Sequence, residues 1–334
     1  MGKVVTLGEV MLRLSTETGV PLTGAHQFQA HYGGAEANVG ISLANWGHEV
    51  DFASKVPGNA LGWAVKRHLD SYGVSTEHLL FGGERLGTYY VEAGVGERAA
   101  RIIYDRAHSS FTEMTLLEWD LERLFEEADL LHLSGITLAL SEHWEALLMQ
   151  LMQTAKNHGV KISFDINYRG KLWSPKEAGE TIHRILPYVD YCSAGKMDAL
   201  YLLGREEYQG DGHELTDYYQ QMQGVYPNIQ LFYSTQRTIH SASAHTLVGT
   251  LWMDGQYYES RAHEMDPIVD RVGGGDAFSA GILHGILEGT DAQTRVEFAT
   301  AASALKHTVL GDCNPFRIAD VEAFMAMGSG RINR

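Results

Sequence analysis

The chain has 334 residues, 44% of them hydrophobic, with Gly frequent at 36 and Pro scarce at 7. That profile suits one large or two smaller globular α/β domains and excludes a disordered or fibrous chain. A formal net charge of −16 repels nucleic acid and anionic membranes, so neither is an expected partner, and an anionic substrate needs a local basic pocket.

The opening MGKVVTLGEVML reads as a first strand over Val4 to Leu7, not as a signal peptide. Further strands are expected at Val50 to Ser54, Leu130 to Ser134, Val160 to Phe164, Tyr188 to Cys192 and Ile229 to Ser234. Several are continuously apolar, as for strands covered on both faces. Helices are expected at Ala35 to Trp46, Ala60 to Tyr72, Trp144 to His158, Thr181 to Leu186 and Asp198 to Leu203. The alternation predicts a doubly wound α/β/α sandwich on a mainly parallel sheet, in a single domain spanning 1–334.

Two regions break this rhythm. Arg13 to Tyr32 has no helical period, and Arg85 to Tyr104 reads as strand–turn–strand. They predict a small β-sheet inserted from about 13–32 and 85–106, either a lid or a peripheral hairpin. TLWMDGQYYE predicts another hairpin turning at Asp254-Gly255. No run approaches the ~18 apolar residues of a membrane span. Cys192 and Cys313 lack metal-ligand spacing and read as free thiols in a reducing, cytoplasmic setting. The 16 His form no HExxH-like pattern, and most of them read as surface or helix-end residues.

The strongest chemical signal is the run Asp270-Arg271-Val272-Gly273-Gly274-Gly275-Asp276-Ala277-Phe278. Three glycines free the backbone for close approach, and a helical pattern follows at once. Unpaired N–H groups and the dipole at that helix start favour an anion such as a transferring phosphoryl group. Asp276 beside them suits a base that accepts the proton of an attacking hydroxyl. By composition alone, a glycine turn with Asp as helix cap fits as well.

That run closely resembles the D-T-x-G-A-G-D-x-F signature of the ribokinase-like, PfkB-type carbohydrate kinases, with Arg271 for Thr and Gly274 for Ala. About 240 residues earlier, Gly33-Gly34-Ala35-Glu36-Ala37-Asn38 resembles the family's G-G-x-x-x-N stretch. The resemblance extends from Val4 to about Phe316 and implies a ribokinase-like fold. It implies Asp276 as base and the N–H groups of Gly273, Gly274 and Gly275 as anion hole. Gly33, Gly34 and Asn38 would hold the sugar. ATP, Mg²⁺ and a monovalent cation such as K⁺ follow as cofactors.

Three segments resemble the 2-keto-3-deoxygluconate kinase branch. Asp165-Ile166-Asn167-Tyr168-Arg169-Gly170-Lys171-Leu172-Trp173 matches D-x-N-Y-R-x-x-L-W; Tyr104-Asp105-Arg106 matches an aromatic-x-Arg pair; Gly311-Asp312-Cys313-Asn314-Pro315 matches G-D-x-N-P. The resemblance puts Tyr89, Tyr104, Arg106, Arg169 and Asp312 on the substrate, the two Arg serving a carboxylate. Read without it, the Arg suit surface salt bridges and Asp312 a turn. Arg169 also suits nucleotide phosphate.

The nucleotide side departs from the family. Gly195-Lys196-Met197-Asp198 stands where N-x-x-E is usual, leaving Asp198 a candidate for water-mediated contact to Mg²⁺ and no firm metal ligands. The stretch 234–243 replaces a T-x-G-x-x-G turn, with Ser234 and Arg237 as expected ATP contacts and adenine near Ala301 to His307. The implied function is ATP-dependent phosphorylation of 2-keto-3-deoxy-D-gluconate to its 6-phosphate. Fructose, another hexose or a ribonucleoside are the alternatives, or a non-catalytic sugar-binding relative. A nicotinamide dehydrogenase does not fit, because the first strand ends without G-x-G-x-x-G. The resemblance also admits a homodimer through lid residues Tyr89, Tyr90, Val91 and Ile103.

Overall fold

The computed structural model describes residues 1–326. Its strands in chain order are β1 (Lys3–Leu7), β2 (Met11–Ser15), β3 (Gln29–Gly33), β4 (Glu49–Val56), β5 (Leu79–Phe81), β6 (Thr88–Glu92), β7 (Arg101–Asp105), β8 (Leu130–Ser134), β9 (Lys161–Asp165), β10 (Tyr191–Ser193), β11 (Leu231–Ser241), β12 (Ala244–Met253), β13 (Gln256–Glu259) and β14 (His263–Met265). Ten form one sheet in the order β13-β12-β11-β10-β9-β8-β1-β4-β5, with β14 on β12. It is parallel from β11 to β5 and antiparallel at the β12 edge.

The period of two along each strand divides the core between the faces. Val4, Phe52 and Leu130 pack with Val39, Ile41, Ala280 and Leu283 from helices Ala35–Asn45 and Gly274–Leu287. Their neighbours Val5, Ala53 and Leu131 point the other way, onto Leu148, Ile182 and Tyr218 from helices Trp144–Asn157, Pro175–Ile185 and Glu214–Val225. Helices thus cover both faces, as the doubly wound reading expects. Among the described residues, no helix is long and apolar enough to cross a membrane.

β2, β3, β6 and β7 form a separate four-stranded sheet in the order β3-β2-β6-β7. It draws on the two segments that broke the helical rhythm. Its alternation turns Tyr89 and Val91 inward, both buried, and leaves Ile103 half exposed. The surface expected from Tyr89, Tyr90, Val91 and Ile103 is therefore corrected: two of those four side chains face the interior. Asp254 and Gly255 both take positive φ (53° and 72°) between β12 and β13, as a type I′ hairpin turn requires.

Other expectations shift for local reasons. The strand expected from Tyr188 starts only at Tyr191, because Pro187 extends the preceding helix into a 3₁₀ turn over Leu186–Tyr188. The helix expected from Thr181 starts at Pro175, where Ser174 and Glu177 form a capping box. The polar stretch 234–243 is not a phosphate turn. It continues β11, where Arg237 pairs with Leu247 across the ladder to β12. Helices Glu214–Val225, Ala292–Lys306 and Ile318–Ala326 add to the expected elements. Seven of the 16 His are buried, and two of these, His284 and His307, sit at helix C-termini.

The capping box gives a direct check. Ser174→Ala should lower stability by about 1 kcal/mol in denaturant unfolding, with kinetics unchanged, since it removes only the helix cap.

Candidate active site

The small sheet faces the carboxyl ends of the parallel strands across a cavity of about 1010 Å³. Open α/β sheets place their ligands at these strand ends. Gly33, Tyr89, Tyr104 and Arg106 line it from the small sheet and its flank, and Gly34 and Asn38 from the start of the helix Ala35–Asn45. Arg169, Arg237, Gly273, Gly275, Asp276 and Asp312 line it on the other side. Ser234 instead lines a neighbouring cavity of about 330 Å³, with Asp165, Asp198 and Gly275.

The three glycines are glycine for three different reasons. Gly273 caps the helix Gly274–Leu287 with φ 83°, and a Cβ there would collide with the Asp312 carbonyl. A Cβ on Gly274 would strike the His307 ring, and its N–H turns back to the Arg271 carbonyl at 3.4 Å. Gly274 is therefore a packing glycine outside the cavity lining, which corrects its expected place in the anion hole. Gly275 has nothing within 4 Å of where a Cβ would lie and opens onto both cavities.

Asp276 follows in the first turn, half-buried, its Oδ2 accepting the Asn38 amide N–H at 2.7 Å. Asn38 thus touches the expected base itself. Burial, helped by the charges of Asp165 and Asp312, pushes the Asp276 carboxyl up to about 7, against the pull of Asn38 and Arg169. The shift is fullest when a ligand fills the cavity and excludes water. Beside it, Glu36 is almost wholly buried and held by Ser134 Oγ at 2.6 Å. Burial pushes Glu36 to about 7 as well. Glu36 is not among the expected site residues; its place two residues before Asn38 in the helix's first turn is the signal that marks it.

The cations divide into paired and unpaired. Arg106 is clamped onto Glu9 through both Nε (2.7 Å) and Nη2. Ser109 Oγ donates to the other Glu9 oxygen. Arg106 is thus largely neutralised, not the open donor expected, although it lies 5.9 Å from the Tyr104 ring centre. Tyr104 stacks on Tyr89 at 5.7 Å. Arg169 is exposed and makes no ion pair among the described residues. Arg13, absent from the expected site, is buried between Asp312 Oδ1 (2.6 Å) and Asp270 Oδ2 (2.7 Å). Tyr89 OH donates to the second Asp312 oxygen. Both oxygens of Asp312 are therefore already engaged.

On the far side, Arg237 reaches His307 Nε2 at 3.4 Å, and its buried Nε has no hydrogen-bond partner. His307 Nδ1 donates to the Ser303 carbonyl at 2.6 Å, which leaves Nε2 to accept. Burial and the nearby Arg271 charge pull Arg237 down to about 10. An orphaned guanidinium N–H beside a second cation suits an anion. The Ser234 hydroxyl is spent on Tyr219 (2.8 Å) and Thr250 (2.9 Å), so its expected ATP contact is narrowed to the cavity it lines.

Asp165 and Asp198 are pushed up to about 6, first by burial, and Asp198 raises Asp165 further. Two half-buried carboxylates, neither in an ion pair among the described residues, suit the oxygen donor set a hard dication takes. The tight His48, His284 and Glu288 cluster lies at the opposite end of the helix Gly274–Leu287, and His48 Nδ1 there already accepts the Gly2 N–H.

Two tethers close the rim. The Ala242 N–H at the β11–β12 turn donates to the Gly96 carbonyl at the β6–β7 turn (2.7 Å), and Lys171 Nζ donates to the Ile102 carbonyl (3.1 Å).

A carboxylate at a glycine-rich helix start, under a small sheet at the carboxyl edge of a doubly wound domain, is the frame of a phosphoryl-transfer enzyme acting on a small hydroxylated substrate. The chain belongs to the pfkB family of carbohydrate kinases, whose family model matches residues 1–319. It is 32% identical over 332 residues to the 2-dehydro-3-deoxygalactonokinase of Haloferax volcanii, covering 99% of each chain. The structure of a PfkB family carbohydrate kinase from Listeria grayi matches with 46% identity and TM-score 0.93, over 97% of this chain and 100% of that one. That of 2-dehydro-3-deoxygluconokinase from Thermotoga maritima matches with 36% identity and TM-score 0.94, over 98% of each. The chain is accordingly a sugar kinase, an ATP-dependent phosphotransferase with an alcohol acceptor.

Glu36 provides a stability test. Its carboxyl holds a proton in the folded state between about 4.5 and about 7 that the unfolded chain releases, so this group lowers stability as pH rises through that window. Glu36→Gln should raise Tm at pH 8 and leave it nearly unchanged at pH 5, by calorimetry.

Proposed function

We propose that the chain phosphorylates 2-keto-3-deoxy-D-gluconate on its terminal hydroxyl, giving the 6-phosphate and ADP. The observation that carries this reading is Arg169, a guanidinium with no ion pair among the described residues, on the same cavity as Asp276 in a chain of net charge −16. Such a cation suits a substrate carboxylate. The relatives named for 2-dehydro-3-deoxy sugar acids support the same class.

In this reading the substrate carboxylate lies towards Arg169 and the terminal hydroxyl towards Asp276. The hydroxyl oxygen attacks the γ-phosphorus in line. The new O–P bond forms as the bond to the β,γ-bridging oxygen breaks, and ADP leaves with that electron pair. The hydroxyl proton passes to an Asp276 oxygen, which must be ionised to take it. Asn38 holds the carboxylate at 2.7 Å in the accepting orientation. The N–H groups at Gly275 and the helix start face the developing phosphoryl charge, and Arg237 and Arg271 face the phosphate chain. Mg²⁺, held by Asp165 and Asp198 through oxygen ligands, would supply neutralisation of phosphate charge. The small sheet acts as a lid that keeps water from the γ-phosphate. On its outer face, Phe28 against Tyr90 and the exposed Ile103 would pair two copies of the chain, which a dimer mass by light scattering tests.

The test is a coupled ADP-release assay on 2-keto-3-deoxygluconate, its galactonate epimer, gluconate, fructose and adenosine. The expected ranking puts a 2-keto-3-deoxy acid first; preference for a neutral sugar or nucleoside would sink the reading. Parallel runs in potassium and sodium salts test the monovalent cation, which a K⁺-specific rise in rate supports. Asp276→Asn should abolish turnover while retaining sugar binding by calorimetry. The kcat/KM profile should rise through an acid limb near pH 7, and Arg169→Gln should move that limb to higher pH, because the Arg169 charge favours ionised Asp276.

A further inference from the structure

We infer that Arg13 is a positioning residue through which the seated small sheet sets the geometry of the glycine loop and Asp276. This rests on the reading of Asp276 as the catalytic base. Along β2 the alternation puts Met11, Arg13 and Ser15 on the inner face, so a charged residue occupies the middle of an otherwise uncharged row. Arg13 is 3% exposed. Each nitrogen of its guanidinium is engaged: Nε to Ser15 Oγ at 2.7 Å, Nη1 to Asp312 at 2.6 Å and Nη2 to Asp270 at 2.7 Å.

Those two carboxylates are the anchors of the loop. Asp270 accepts the Val272 N–H at 3.1 Å and the Gly311 N–H at 3.0 Å, tying the start of the glycine run to the loop that carries Asp312. The Asp312 carbonyl lies where a Cβ on Gly273 would stand, so movement of Asp312 is transmitted by direct contact to the helix cap. Asp276 sits three residues beyond that cap. Tyr89, also on the small sheet, grips the remaining oxygen of Asp312.

Leu12 and Tyr32 of this sheet pack against the core of the main domain, so apolar contact and the Arg13 ion pairs seat it together. Its own buried cluster is Met11, Tyr89 and Val91, with Ile102 beside them. Other tethers include the rim bonds of Gly96 to Ala242 and Ile102 to Lys171, and the Cys313 thiol donating to the Tyr32 carbonyl. When the sheet lifts, Arg13 leaves with β2. Asp270 and Asp312 then face each other without its charge, next to the site that must accept an anionic phosphate. The loop is therefore held in its working form only while the sheet is closed, which ties phosphoryl transfer to closure and protects ATP from water.

The test compares Arg13→Lys and Arg13→Gln with the wild type and Asp276→Asn. Readouts are melting temperature, KM for sugar acid and ATP, kcat, and ATP hydrolysis without sugar. Arg13→Lys keeps the charge but offers one ammonium to two carboxylates. It should melt near the wild type, hold both KM values, lose roughly 100-fold in kcat and release a larger share of ATP to water. Arg13→Gln should add an upward shift of the acid limb, since Asp312 would then oppose ionisation of Asp276 with only the Lys306 charge beside Asp270 and Asp312 left to offset it. Wild-type kcat in Arg13→Lys overturns the inference. So does a loss that only tracks the unfolded fraction, or failure of Arg13→Lys to fold, either of which marks a structural contact. An active Asp276→Asn would instead overturn the catalytic reading on which the inference rests.

Discussion

The carboxylates at the cavity are short of positive charge, and that shortage governs the site. Asp276, Asp165, Asp198 and Glu36 all sit where solvent is scarce, and each is pushed towards the protonated form by that burial. Arg106 is committed to Glu9, and Arg13 to Asp270 and Asp312, so the unpaired Arg169 is the cation that draws Asp276 and Asp165 back towards the ionised form. The cavity is thus poised for ligands that bring their own countercharge or leave the carboxylates as proton acceptors. A base working near neutral pH needs this environment, since a fully solvated Asp is too weak a base to take a hydroxyl proton effectively.

That arrangement costs stability, and the fold meets the cost away from the cavity. The parallel strands are buried on both faces, and two apolar clusters fill the layers above and below them. At the cavity edge Gly273 caps its helix in the left-handed region, and Asn167, in the segment carrying Arg169, is held at φ 42°. A rigid, dry core lets the loops at its edge hold polar groups in an arrangement that would not persist on its own.

Much of this was legible in the sequence, and what was missed shares a physical cause. The continuous apolar runs identified the parallel strands because burial on both faces leaves a direct imprint on composition. The glycine run and Asp276 were legible because three glycines before a helical period admit few backbone readings. Gly274 was misread because pattern cannot tell a glycine that makes room for a ligand from one that makes room for His307. Arg106 was read as an open cation because Glu9 lies 97 residues away in sequence. Arg13 was missed for the same reason: Asp312 is 299 residues distant. The extension of β11 beyond Ser234 was not legible, because the sequence does not show that β12 pairs with it residue by residue.

The hydrogen bond between Ala242 and Gly96 joins the sheet over the acceptor side to the hairpin beside Arg237, and it runs from main chain to main chain. No side chain at either turn supplies the donor or the acceptor. Residues that read the acceptor can therefore be exchanged during divergence without disturbing the clasp across the rim. A scaffold closed in this way can change which sugar it recognises while keeping the act of closing intact, so a new specificity need not await a new latch.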